Sequence, residues 1–184
     1  MTFRGFISLD VEPNDTIRRF MDDLESTGAP LNMVDPGQIH MTVKFLGDTE
    51  EDKIDDIVDK VDFALKEFEP FDIDVKGTGA FPHLGYMKVV WMGTEDESGD
   101  LKDIAHRVEE ELVPLGFERE DREFSPHITV ARVKGGKNKE QLRNTIENYD
   151  DVRFKSLRVN KLSLKKSILK KNGAEYNTLK EMYI

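Results

Sequence analysis

The sequence contains no cysteine among its 184 residues. Disulfides, thiolate nucleophiles and cysteine-ligated zinc sites are therefore excluded, and the composition fits a reducing compartment. No apolar run approaches the roughly 20 residues that are needed to cross a bilayer. The first ten residues, MTFRGFISLD, also lack the apolar core of a secretory signal. We therefore predict a cytoplasmic protein that does not bind a membrane.

The chain also lacks the positive charge of a broad nucleic-acid clamp, since its formal net charge is −10. The charge is distributed unevenly, because residues 152–184 carry nine Lys or Arg and only two acidic residues. This basic C-terminal segment could face a phosphate group, or its lysines could form the solvated face of a strand. The sequence alone leaves both interpretations open.

Short strands and helices follow one another without a low-complexity linker, so we treat residues 1–184 as a single domain. Apolar patterning predicts strands at 3–11, 39–46, 71–77, 86–93, 127–133, 152–169 and 175–184, with a loop at 77–85. Helical spacing predicts four helices, at about 13–27, 51–68, 98–112 and 138–148. This order is neither strict βαβ alternation nor all-β. It predicts an α+β fold in which helices pack on antiparallel sheets.

Two of the four histidines open the same four-residue phrase: HMTV begins at His40, and HITV begins at His127. In a strand, residues two apart point to the same face, so the His and Thr of each motif stand side by side. The residues between and after them are apolar and suit a core-facing side. Each motif precedes a predicted helix, which suggests a rough internal repeat. Two related lobes would bring both motifs to a shared cleft.

Two imidazoles and two hydroxyls in one cleft suit displacement at phosphorus. An unperturbed His has a pKa of about 6.5, so one ring can act as a base while the other acts as an acid near neutrality. One ring accepts a proton from the attacking water and the other donates a proton to the leaving oxygen. The hydroxyls can hold the phosphate oxygens. This chemistry requires neither a metal nor a cofactor, and we predict neither.

Other interpretations have less support from the sequence. Neither motif carries an acidic residue at ligand spacing, which makes a metal site a poor fit. No G-x-S-x-G elbow of a serine hydrolase is present. A lone His on a strand is usually structural or exposed, and we interpret His83 and His106 in that way. Only the repetition and the shared strand parity raise His40 and His127 above this background.

The sequence resembles the 2H phosphoesterases, and among them the RNA 2′,3′-cyclic phosphodiesterases, which are also called 2′-5′ RNA ligases. The resemblance covers nearly the whole chain and is strongest around the two motifs. The matching segments are FRGFISLDV, IHMTVKFLGDT, GAFPH, VVWMG, LGFERE, FSPHITVARV and KKSILKKNGAEYNTL.

The resemblance implies a bilobal, duplicated α+β fold with two antiparallel sheets and a cleft between pseudo-symmetric lobes. It also implies hydrolysis of a 2′,3′-cyclic phosphate, on an RNA end or a small nucleotide, to a 2′-phosphate. In that reaction His40 would be the acid toward the 3′ oxygen and His127 the base toward water. Thr42 and Thr129 would bind the phosphate.

The resemblance further suggests that Arg132 stacks on the terminal base through a cation–π contact. Strand parity would place Arg132 opposite His127, so a bulge or a strand end must turn it. Phe45, at the same offset in the first motif, could contact the nucleotide, but packing in the core is at least as good an interpretation. The acidic net charge fits a small substrate or an RNA end, and it fits a salty cytoplasm equally well.

Two alternatives remain open. A binding module could hold a nucleotide or RNA end without turnover, although such a module would need no acid–base pair. The same residues could also run the reaction backward as a 2′-5′ ligase, because microscopic reversibility allows it. No P-loop is evident, which disfavours an ATP-driven ligase. We expect a monomer.

Overall fold

The computed structural model describes all 184 residues and contains nine strands and four α-helices. The strands are β1 (Thr2–Asp10), β2 (Leu31–Met33), β3 (His40–Glu50), β4 (Phe71–His83), β5 (Tyr86–Glu95), β6 (Ile128–Val133), β7 (Arg153–Val159), β8 (Lys161–Lys170) and β9 (Gly173–Tyr183). The helices are α1 (Asp15–Ser26), α2 (Ile54–Leu65), α3 (Asp100–Leu112) and α4 (Lys139–Asn148).

All pairings between strands are antiparallel, and the strands follow the order β7-β4-β5-β6-β3-β1-β8-β9, with β2 paired to β6. The two halves of this sheet meet at β3 and β6, which share one residue pair. β7 and β8 lie near opposite ends of the order, yet Asn160 alone separates them in the chain. The sheet must therefore curl until its two ends approach each other.

Each half of the sheet is covered by two helices. α1 and α4 contact each other and pack near β7 and β4, whereas α2 and α3 contact each other and pack near β9 and β3. Each helix buries one apolar stripe, as for Ile17, Phe20, Met21 and Leu24 of α1. These stripes and the core-facing residues of the strands form one contiguous apolar cluster. The predicted α+β class with antiparallel strands is confirmed, and the two expected sheets are joined edge to edge.

Two sequence predictions were wrong in detail. The glycine-rich stretch 77–85 is not a loop, because β4 continues through it to His83. Its glycines serve close packing instead: a Cβ on Gly79 would lie 2.3 Å from the Trp91 ring. The predicted strand 152–169 is two strands that pair with different partners, since the chain crosses from one half of the sheet to the other at Asn160.

None of the four helices is long and apolar enough to span a bilayer.

Candidate active site

A cleft of about 510 Å³ lies where the two halves of the sheet meet, and we call it the central cleft. Its lining comes from both halves, including β1 and β3 on one side and β5 and β6 on the other. All six candidate residues from the sequence line it: His40, Thr42, Phe45, His127, Thr129 and Arg132. The exposed His83 and His106 do not.

The register of β3 against β6 brings the two His-x-Thr motifs together. The single pair is Met41 with Ile128, and each is the middle residue of its motif. Both side chains are fully buried, so the flanking histidines and threonines point to the other face. Antiparallel pairing reverses one strand, so the histidine of each motif is set beside the threonine of the other. Two imidazoles and two hydroxyls therefore converge on one surface.

A bulge follows each motif at the same place. In the pairing of β6 with β5 the register shifts after Thr129, so that Arg132 lies opposite Val89 and turns to the cleft. In the pairing of β3 with β1 a shift follows Thr42, which turns Phe45 to the same side. The bulge that Arg132 required is thus present. Core packing of Phe45 is ruled out, because its side chain is 65% exposed.

Both imidazoles are oriented by the same contact. Nδ1 of His40 lies 3.0 Å from the carbonyl oxygen of Gln38, and Nδ1 of His127 lies 2.8 Å from that of Ser125. A carbonyl can only accept, so each Nδ1 carries the proton that it donates. Each neutral ring therefore has its lone pair at Nε2, the atom left free for proton transfer.

Aromatic rings hold His40 more firmly than His127. The His40 ring lies 5.0 Å from Phe6 and 4.8 Å from Tyr176 between centroids, whereas His127 has one edge-on neighbour, Phe81, at 4.9 Å. This burial lowers the pKa of the His40 imidazole below its usual value. The hydrogen bond to the Gln38 carbonyl opposes that shift and favours the cation.

More distant charges act on the pKa of His40 in both directions. The Lys165 ammonium and the His127 ring lower it, and the Asp10 carboxylate raises it. Lys165 is buried and its Nζ lies 2.6 Å from Oδ1 of Asp10, the residue directly opposite His40 in the pairing of β1 with β3. Desolvation is the largest of the influences on the pKa of His40, and the net shift of that pKa is downward.

The groups that could hold an anion are not engaged elsewhere. The half-buried Thr42 and Thr129 side chains form no hydrogen bond within the protein, and Arg132 forms no ion pair. Their hydroxyl and guanidinium donors are thus available to a ligand in the cleft. No group of three His, Asp or Glu side chains lies close enough together to hold a metal ion.

Sequence reasoning missed the other residues of the cleft lining, among them the cationic and aromatic side chains of Arg4, Phe6, Phe81 and Tyr176. The alternation of β1 could have predicted part of this lining. Ile7 and Leu9 face the apolar core, so the even-numbered residues of the strand, Arg4, Phe6, Ser8 and Asp10, lie on its other face. Nothing local marks Tyr176, which reaches the cleft because β9 pairs with β8 at the edge of the sheet.

The basic C-terminal segment does not supply cations to the central cleft. Five of its nine basic residues are paired with acidic residues of other strands or of the same hairpin: Arg153, Arg158, Lys161, Lys165 and Lys170. The residues of this segment that do line the cleft are uncharged. The alternative of solvated or locally paired lysines therefore describes it better.

Comparison with known proteins decides the family. The family model of the 2′-5′ RNA ligase superfamily matches residues 13–167. The chain belongs to this superfamily. The resemblance drawn from the two motifs is thus confirmed for most of the chain.

Two relatives that match nearly the whole chain carry the same name. An RNA 2′,3′-cyclic phosphodiesterase of Methanothermobacter thermautotrophicus is 36% identical over 181 residues, which cover 97% of each chain. One of Methanocaldococcus jannaschii is 35% identical over 180 residues, covering 97% of this chain and 99% of the relative. The prediction that the chain is an enzyme agrees with these relatives and is confirmed.

Solved structures confirm the fold. The crystal structure of a Thermus thermophilus protein, TT0787, matches with a TM-score of 0.73 and 23% identity, covering 98% of this chain and 97% of that chain. Escherichia coli LigT complexed with 3′-AMP matches with a TM-score of 0.71 and 20% identity, covering 100% and 99%. This chain therefore shares its overall fold with both of these solved structures.

Proposed function

We propose that this superfamily member hydrolyses a 2′,3′-cyclic phosphate at an RNA end, or on a small nucleotide, to a 2′-phosphate. The observation that carries the proposal is the pairing of the two motifs across β3 and β6, which sets two histidines and two threonines on one face of the cleft. The names of relatives that are 35–36% identical over nearly the whole chain support the reaction class.

The proposed reaction is an in-line displacement. Nε2 of His127 accepts a proton from water while the water oxygen bonds to phosphorus. The bond from phosphorus to the 3′ oxygen breaks, and His40 donates a proton to that oxygen. The product has a 2′-phosphate and a 3′-hydroxyl, and the two histidines have exchanged protonation states. Proton exchange with solvent restores them.

The remaining candidate residues bind rather than transfer protons. Thr42 and Thr129 donate hydrogen bonds to the non-bridging phosphate oxygens, where negative charge must be stabilised in the transition state. The exposed Arg132 guanidinium stacks on the terminal base, and Phe45 supplies a second apolar surface for the nucleoside. Both lie on the cleft side because of the paired bulges.

The low pKa of His40 places a condition on this assignment. Burial favours the neutral ring, whereas the donor must enter the reaction as a cation. The cyclic phosphate is an anion, and an opposite charge beside the ring raises its pKa. Binding of the anionic substrate therefore raises the pKa of His40 and favours its protonated form. The Gln38 carbonyl oxygen, 3.0 Å from Nδ1, accepts a hydrogen bond from the protonated ring as well as from the neutral ring.

A turnover assay with product assignment tests the proposal. Cytidine 2′,3′-cyclic phosphate is incubated with the enzyme in excess EDTA, and phosphorus NMR assigns the product. We expect the 2′-phosphate alone from the wild type, and loss of activity by about 10²–10⁴-fold in His40→Ala and in His127→Ala. His106→Ala, on the exposed surface of α3, is the matched control and should match the wild type.

Other outcomes would each contradict a defined part of the proposal. Binding of the nucleotide without turnover would indicate a binding module. Turnover that EDTA abolishes would mean that a metal takes part. Joining of a cyclic-phosphate end to a 5′-hydroxyl RNA, faster than hydrolysis, would make the reverse reaction the principal one.

A further inference from the structure

A second groove, of about 610 Å³, continues from the central cleft and shares Val89 and Arg132 with it. Its walls come from β5, from the end of β6 with the loop that follows, and from the first turns of α4. We call it the side groove. Because Val89 and Arg132 line both spaces, the side groove lies directly beside the central cleft.

The side groove is positively charged in an acidic protein. Its lining contains Lys88, Arg132, Lys134 and Lys139 and no acidic residue. None of these four side chains forms an ion pair, in contrast to most cations of the basic C-terminal segment. Lys139 donates to the carbonyl of Gly85, a contact that leaves its charge uncompensated. Such a concentration of one sign in a groove focuses a field on anionic ligands.

An aromatic ring lies among these cations. Tyr86 is 57% exposed, although large hydrophobic side chains are mostly buried in this chain. Nζ of Lys88 lies 5.3 Å from the centroid of its ring. A basic groove that contains an exposed aromatic ring is the arrangement with which proteins bind single-stranded nucleic acid, because bases stack on the ring while cations follow the phosphates.

We propose that the side groove binds the nucleotides on the 5′ side of the cyclic phosphate in single-stranded RNA. This inference rests on the proposed function, since it places the terminal nucleotide in the central cleft. The strand leaves that cleft past Arg132, its next phosphates contact Lys88 and Lys134, and one unpaired base stacks on Tyr86. An RNA strand of several nucleotides then binds more tightly than a free mononucleotide, although both place a cyclic phosphate in the central cleft.

Binding of a product-like RNA tests the side groove without turnover. The probe is a 5′-fluorescein hexaribonucleotide whose 3′-terminal ribose carries a 2′-phosphate and a free 3′-hydroxyl, and fluorescence anisotropy gives Kd as a function of salt. The test variant is Lys88→Gln/Lys134→Gln. The matched control is Lys66→Gln/Lys180→Gln, which removes the same charge from exposed lysines outside both spaces and also includes a lysine over an aromatic ring, Phe63.

The expected size of the effect follows from counterion release. Each phosphate contact on a single strand contributes about 0.7 to the slope of log K against log salt, so losing two contacts lowers the slope by about 1.4. At 0.1 M salt this corresponds to roughly 25-fold weaker binding of the hexamer. In addition, Tyr86→Ala should weaken binding by about tenfold, while Tyr86→Phe, which keeps the ring, should bind like the wild type.

The two hypotheses fail separately. Hexamer binding in Lys88→Gln/Lys134→Gln that stays within twofold of the control variant overturns the side groove, whatever the turnover assay shows. Equal binding by Tyr86→Ala and Tyr86→Phe overturns the stacking contact. If the charge and ring variants weaken binding as expected but the wild type does not hydrolyse a cyclic mononucleotide or a cyclic-ended hexamer, the groove stands and the proposed reaction fails.

Discussion

Replacing His40 with alanine tests the proton-donor role most sharply when the leaving atom is changed as well. In the proposed reaction His40 donates a proton to the 3′ oxygen as its bond to phosphorus breaks. In the 3′-bridging phosphorothiolate analogue, sulfur replaces that oxygen. A thiol has a pKa of about 8.5, so sulfur leaves as a thiolate without a proton donor. The analogue therefore removes the need for a proton donor, which is the proposed role of His40, and leaves the need for a base unchanged.

The size of the effect depends on how well the ring is positioned. The Gln38 carbonyl fixes Nδ1 at 3.0 Å, and Phe6 and Tyr176 hold the ring at 5.0 and 4.8 Å between centroids. A positioned general acid contributes 10²–10⁴-fold, and for a ring held in this way we expect about 10³, or about 4 kcal/mol of barrier. His40→Ala should thus lower kcat/KM by about 10³-fold on the oxygen substrate and by less than about tenfold on the analogue.

The assay follows thiol release with a colorimetric thiol reagent, which gives no background because the chain has no cysteine. His127→Ala should lose about 10³-fold on both substrates, since water must be deprotonated in either case. Rescue of His127→Ala instead of His40→Ala would mean that the acid and base roles are reversed. If sulfur rescues neither variant, the acid–base account of the cleft is refuted.

Three further predictions concern the surroundings of the site. Asp10→Asn leaves the buried Lys165 ammonium without its partner carboxylate. We expect the free energy of unfolding to fall by about 3 kcal/mol and the Tm, measured by calorimetry, to fall by about 9 °C. An unchanged Tm would contradict a stabilising ion pair. Because the pKa of His40 is lowered in the folded state, the unfolded state binds more protons below about pH 6.5, so stability should fall on acidification. Urea titrations at pH 7.5 and 5.5 should show a smaller loss in His40→Gln than in the wild type, and equal losses would refute the shift. Gly79→Ala should displace the ring of Trp91, the sole tryptophan, and lower the free energy of unfolding by about 1–3 kcal/mol. Tryptophan fluorescence reports the displacement and urea midpoints report the stability. An unperturbed fluorescence spectrum would contradict the close packing of Gly79 against Trp91.

Much of the site could be predicted because its information is local. Because side chains alternate between the two faces of a strand, the sequence alone places His40 and Thr42 on the face opposite the buried Met41. The second motif repeats this pattern. Helix positions followed in the same way from apolar spacing. These predictions depend only on which residues share a face.

The rest depends on which strands pair, and that is not local. Nothing near Val130 marks the bulge that turns Arg132 into the cleft, because the shift arises from the register of β6 against β5. β7 likewise ends at Val159 because the chain changes its partner strand at Asn160, and no glycine or proline marks that point in the sequence. The side groove combines lysines 46 residues apart, Lys88 and Lys134, which only the curled sheet brings together.

The most direct test of the central claim is one set of rate measurements, in which kcat/KM for a 2′,3′-cyclic mononucleotide is compared among His40→Ala, His127→Ala and the double variant. Residues that act as a unit in one step are not additive, so the double variant should be about as slow as the slower single variant. Losses that multiply in the double variant, or a single variant that keeps more than about a tenth of the wild-type rate, would contradict a paired-histidine mechanism.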